Sequence, residues 1–155
     1  MTRLPEKNGE HPYGDTGQLV LLGLFLLVWT ADSFFLKFST FLAAHIPLFI
    51  RLLFLAAALA VAGWLTKSGH IVLRHDKPKG VIAKGAFKYT RHPLYFSALL
   101  FYIGLSILSV SLFACAVTGI MIFPFYQYIA RYEEELMLSK HGKKYRDYMK
   151  QVSRW

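Results

Sequence analysis

Arg91-His92-Pro93-Leu94-Tyr95 and Glu133-Glu134-Glu135 are the two stretches whose residue types could do chemistry together. Arginine and histidine beside carboxylates can hold a charged ligand that carries both a cationic centre and a carboxylate of its own. Pro93 has a fixed φ and no N–H, which suits the first position of a helix. His92 precedes it and is pushed toward extended backbone. Arg91 and His92 are therefore expected just outside a helix start, whose free N–H groups make a natural seat for an anion. Taken singly, the acidic triplet reads equally well as a solvated helix face and Arg91 as a membrane-interface anchor.

Long apolar segments must position these residues. Hydrophobic residues make up 55% of the 155, more than a soluble domain of this size carries. Residues 1–17 are polar and read as a tail. Apolar runs at roughly 18–38 and 46–66 each meet the length of about 20 residues that a bilayer core demands. From Leu94 to Ala130 no residue is charged. That run suits two spans turning near Ser109-Val110-Ser111, with Pro124 expected to kink the last one and free a carbonyl near Ile120. The fold class expected is all-α and integral to the membrane, a single multi-pass domain over 1–155 with about four transmembrane helices. The second span carries Ala56, Ala60 and Gly63, a small-residue stripe suited to helix packing in lipid.

Charge placement sets the expected orientation. Seven of the eighteen Lys and Arg fall in 67–92, read as a basic link, and seven more in 131–155. By the positive-inside rule both segments and both termini are expected in the cytoplasm. After Gly142, Tyr145, Tyr148, Met149 and Val152 recur at helical spacing among basic residues. They describe an amphipathic cytoplasmic helix that either lies on the membrane, anchored by Trp155, or packs on the protein's own face. The bilayer is the expected partner; nucleic acid is not, because no soluble recognition fold fits around the apolar runs. The six histidines lack metal-ligand spacing and the single Cys115 excludes an internal disulfide. Asp32 and Arg51, at similar depth in the first two spans, are expected to pair, the alternative being that Arg51 snorkels outward alone.

The pattern Gly85-x-Phe87-x-x-x-Arg91-His92-Pro93-x-Tyr95, followed by Glu133-Glu134, Gly142, Tyr145, Tyr148, Val152 and Arg154, resembles the isoprenylcysteine carboxyl methyltransferase and phospholipid methyltransferase superfamily. The resemblance covers the chain from about Lys79 onward. It implies a membrane enzyme that moves a methyl group from S-adenosyl-L-methionine to a lipid, lipophilic or small acceptor, with no obligatory protein partner. Gly80, Val81, Ile82, Phe87, His92, Pro93, Leu94, Tyr95 and Glu133 are the positions it assigns to the cofactor. Arg91, His92 and Glu134 stand as the catalytic candidates, and Arg131 as the candidate for substrate. Where the prenyl-cysteine enzymes carry an arginine four residues before the first glutamate, this chain has Ile129. Two other readings compete: an NADPH-dependent membrane sterol or steroid reductase, which shares an Arg-x-x-x-Tyr element, and a non-catalytic membrane protein on the same scaffold.

Overall fold

The computed structural model describes residues 14–75 and 80–155. The predicted tail lies outside the described residues as far as residue 13, as does the 76–79 portion of the basic link. The described residues are helical, with no strand. Helix α1 (Gly14–Thr30) widens into a π-helical turn over Ala31–Leu36 and stops at Lys37, whose φ of +53° reverses the chain. A 3₁₀ turn (Phe41–Ala44) leads to α2 (Leu48–His75). A second 3₁₀ turn (Gly85–Lys88) precedes α3 (Pro93–Ser109). Helix α4 (Leu112–Val117) passes through a π turn (Thr118–Ile122) into α5 (Phe123–His141), and α6 (Lys143–Gln151) follows.

Among the described residues three helices are long and apolar enough to cross a membrane: Gly14–Leu36, Leu48–Arg74 and Leu112–His141. The expected third span, α3, is apolar but has 17 residues, about 25 Å at 1.5 Å each, short of a bilayer core of about 30 Å. The expected link at 67–92 is also redrawn, because α2 runs on to His75. Nothing within 67–75 breaks a helix except Gly69, and that glycine lies against Leu94 and Pro93 of α3. The predicted turn after Ser109 is present. Val110 caps α3 in the left-handed region and Ser111 accepts the Ala114 N–H to start α4.

Pro124 acts as its ring chemistry requires. It cannot donate to the carbonyl four residues back, and the turn just before it relaxes to π-helical bonding, with Phe123 N–H reaching Thr118 O. The core where α1, α3, α4 and α5 meet holds Phe25, Leu99, Tyr102, Ala114, Ile122 and Tyr126, with Phe25 edge-on to Tyr102.

Helix α2 packs on α3 through a different face from the one expected. Ala58, Ala62, Leu65 and Gly69 are buried, whereas Ala56, Ala60 and Gly63 face outward. The register is set by Gly104 of α3, where a Cβ would meet Leu55 Cδ1 at 3.1 Å and Ala58 Cβ at 3.3 Å.

The two intramembrane charges do not pair. Asp32, 1% exposed, accepts Ser39 N–H at 3.0 Å, Ser39 O–H at 2.5 Å and Ser111 O–H at 2.6 Å. Arg51 donates instead to Leu108 O at 2.8 Å, among the last carbonyls of α3. Neutral donors within reach satisfy the carboxylate, and the C-terminus of α3 offers one guanidinium N–H an acceptor, while Arg51 Nε is buried without a partner.

Candidate functional site

The helix start predicted at Pro93 is present, with His92 outside it at φ −126°, ψ 64°. Three segments converge there. The 3₁₀ turn before α3 depends on Gly85, whose φ is +55° and where a Cβ would lie 2.7 Å from Ser68 Oγ. Ser68 Oγ accepts Ala86 N–H at 2.9 Å, so α2 holds the turn in place. Tyr148 of α6 donates to Phe87 O at 2.7 Å and closes the other side. Residues 153–154 then run back alongside 90–91: Arg91 N–H donates to Ser153 O at 3.0 Å and Thr90 O–H to Arg154 O at 2.7 Å.

These segments enclose a cavity of about 510 Å³. Gly80, Val81, Ile82, Phe87, Pro93, Leu94, Tyr95 and Glu133 line it together with Arg91 and His92. The sequence positions assigned to a cofactor thus share one wall system, although 38 residues separate Tyr95 from Glu133. Tyr145, Tyr148, Met137, Lys140, His141 and Leu73 complete the lining. Sequence reasoning did not single these out for the site. The signal available was the three-residue spacing of Tyr145 and Tyr148, read there as one face of an amphipathic helix. Both tyrosines are buried, so α6 packs on the protein through that face.

The polar wall is built on His92. Its Nδ1 lies 3.4 Å from Glu133 Oε2 and its Nε2 lies 3.2 Å from Glu134 Oε1. Tyr95, stacked on the imidazole at 5.6 Å between ring centres, donates to Glu133 Oε1 at 2.5 Å. Carboxylates only accept, so an imidazole between two of them donates from both nitrogens and carries a charge. Burial pulls the His92 pKa down, but hydrogen bonds to Glu133 and Glu134 and their negative charge outweigh it, and the net shift is upward. The buried Tyr148 phenol is pushed up to about 12, burial and the charge of Glu134 outweighing Arg91.

Glu134 does not line the cavity. It lies behind the wall, 3% exposed, and receives Arg91 at 3.2 Å as well as Arg154 through two donors, at 3.0 and 2.6 Å. Arg91 faces the cavity with its side chain 10% exposed, and its Nε is buried without a hydrogen-bond partner. Arg131 is exposed and does not line the cavity. Ile129 is fully buried in the core. Among the described residues no cluster of His, Cys, Asp and Glu could hold a metal ion.

A second, nearly wholly apolar cavity of about 400 Å³ runs along α3 and the π turn, lined by Phe96, Leu99, Ile103, Cys115, Gly119 and Phe123 among others. Trp155 closes it, its ring 6.1 Å from His92 on one side and 6.1 Å from Phe123 on the other. Trp155 therefore sits between helices rather than serving as the outward anchor considered above.

The model of a family described as protein of unknown function (DUF1295) matches residues 16–152. The chain belongs to that family. The match spans both the apolar helices and every residue of the polar wall, so the bundle and its cavity form one family unit. No curated protein and no solved structure matches the chain.

Proposed function

We propose that this protein is a membrane methyltransferase that uses S-adenosyl-L-methionine and acts on a lipophilic acceptor, in the manner of the enzymes its second half resembles. The observation that carries the proposal is the convergence of the positions assigned to that cofactor on one 510 Å³ cavity. A cavity in which an apolar wall meets a few convergent polar groups is the usual form of a small-molecule site.

The residues present suit the group. Glu133, already oriented by Tyr95 and His92, offers a carboxylate to an ammonium. Arg91, which lines the cavity, offers guanidinium charge to a carboxylate. Val81, Ile82, Phe87 and Leu94 give an apolar wall for a purine-sized ring. Bound there, S-adenosyl-L-methionine would supply a methyl group already activated by its sulfonium charge. The protein's part is then to align and to exclude water. His92 has both nitrogens engaged by carboxylates and Glu134 is sealed behind the arginines, so neither is a free base in this arrangement. An acceptor that arrives as an anion or a free amine suits a site of that kind.

The apolar cavity beside His92 supports the lipophilic character of the acceptor. It lies along helices of the membrane-spanning region and ends at the polar wall. The basic residues near the site favour a cytoplasmic site, with both termini on that side.

The test is calorimetric titration of detergent-purified protein with S-adenosylhomocysteine and with NADPH. Saturable binding of the first alone is expected, weakened about 10- to 100-fold by Glu133→Gln, the loss of one charged hydrogen bond. Binding of NADPH alone would transfer the site to the reductase reading.

A further inference from the structure

Arg154 does not line the cavity, yet it braces the polar wall through both its side chain and its backbone. Its guanidinium grips Glu134 with two parallel donors and reaches Gln127 of α5 with a third at 2.8 Å. Its backbone carbonyl accepts from Thr90, whose hydroxyl in turn accepts the His92 N–H at 3.3 Å. The side chain and the backbone of one residue thus reach His92 by two routes. Glu134 has a free carboxyl torsion that would let it turn toward Arg91 alone. The fork from Arg154 fixes its plane and leaves Oε1 aimed at His92 Nε2.

We infer that Arg154 is a positioning residue: acting through Glu134, it holds the His92 imidazole as a doubly donating cation in the cavity wall. The inference rests on reading that cavity as the ligand site. Other groups are placed differently. Glu133 and Glu134 of α5 face the two ring nitrogens, and Tyr95 stacks on the ring. Arg91 bonds Glu134 from the cavity side. Lys140, His141, Tyr145 and Tyr148 line the same cavity. Of all these, Arg154 alone grips both oxygens of Glu134.

The sign of the effect separates this role from the simpler ones. Removing a positive charge one carboxylate away from His92 would, by electrostatics alone, make the imidazolium easier to keep and raise its pKa. A residue that only holds the fold would leave the pKa of the folded protein where it is. A positioning residue gives a fall, because Glu134 turns away and one of two carboxylate partners is lost.

The experiment is an NMR titration of the histidine ring protons in detergent-solubilised protein, with His92 assigned by its disappearance in His92→Gln. In Arg154→Gln the His92 midpoint should fall by about one pH unit, the size that one charged partner supplies. Arg154→Lys keeps a cation but not the fork, and should give a smaller fall in the same direction. If Arg154→Gln does not fold, the lysine variant decides alone. A rise or an unmoved midpoint in the folded variants overturns the inference. The titration needs no ligand, so failure to bind S-adenosylhomocysteine would count against the proposed function and leave this result standing.

Discussion

Two buried carboxylates lie at opposite ends of α3, about 25 Å apart by its 17 residues, and they are satisfied in opposite ways. Asp32 is held by neutral donors: the hydroxyls of Ser39 and Ser111 and the Ser39 N–H. Ser39 in turn accepts the Phe113 N–H at 3.0 Å, so the cluster ties the end of α1 and the loop after it to the start of α4. None of Asp32, Ser39 and Ser111 lines either of the two cavities described above. Glu134 is held by Arg91, Arg154 and His92, three cations around a pair of glutamates, just behind the wall of a cavity. Neutral donors disperse a charge without adding another, which suffices to staple a fold. Three cations around two glutamates leave one positive charge uncompensated beside the cavity, and an anionic group of a ligand can use it.

The sharpest way to break this contrast is Glu134→Gln. It strands two arginines in a buried site and should cost about 3–5 kcal/mol of stability. It should also abolish S-adenosylhomocysteine binding in whatever fraction folds, and thermal unfolding with calorimetry reads both. Retained affinity would reduce the cation cluster to a second staple. Next in size, Asp32→Asn should cost about 1–3 kcal/mol, since an amide cannot accept from all three donors. Affinity in the folded variant should be unchanged, and a loss of binding would show that the far end is coupled to the cavity.

The ends should also differ in pH response. The folded pKa of His92 is raised above its ordinary 6.5, so its contribution to stability is complete below about that pH. It is lost as pH rises through the folded value, and amounts to roughly 1 kcal/mol for each unit of the shift. Melting temperature should therefore decline on the alkaline side in the wild type and in Asp32→Asn, and less steeply in His92→Gln. Equal slopes in all three would remove the charged imidazole from the account. The smallest expected effect is the coupling between Asp32 and Arg51. They have different partners, so losses in Asp32→Asn and Arg51→Gln should add within about 0.5 kcal/mol. Strong coupling in that double-mutant cycle would mean that the two charges meet after all.

Much of the candidate site could be read from local chemistry. Pro93 restricts His92 and suits the first position of a helix, and the turn after Ser109 follows from a run too long for one span. Segment lengths and apolarity likewise determine an all-helical membrane bundle. What the sequence left open were choices between equivalent partners. Ala56-Ala60-Gly63 and Ala58-Ala62-Gly69 are both small-residue faces of α2, and only the shape of α3 around Gly104 selects the second. Asp32 and Arg51 attract at any matching depth, but Ser39, Ser111 and the last turn of α3 lie closer to hand. Glu133 and Glu134 are adjacent and chemically alike. The packing of α5 turns one toward the cavity and the other toward Arg154, twenty residues further along the chain. Periodicity and length are written locally, because backbone bonding and burial act over one or two turns. The choice among competing partners depends on which of them the whole bundle brings within 3 Å.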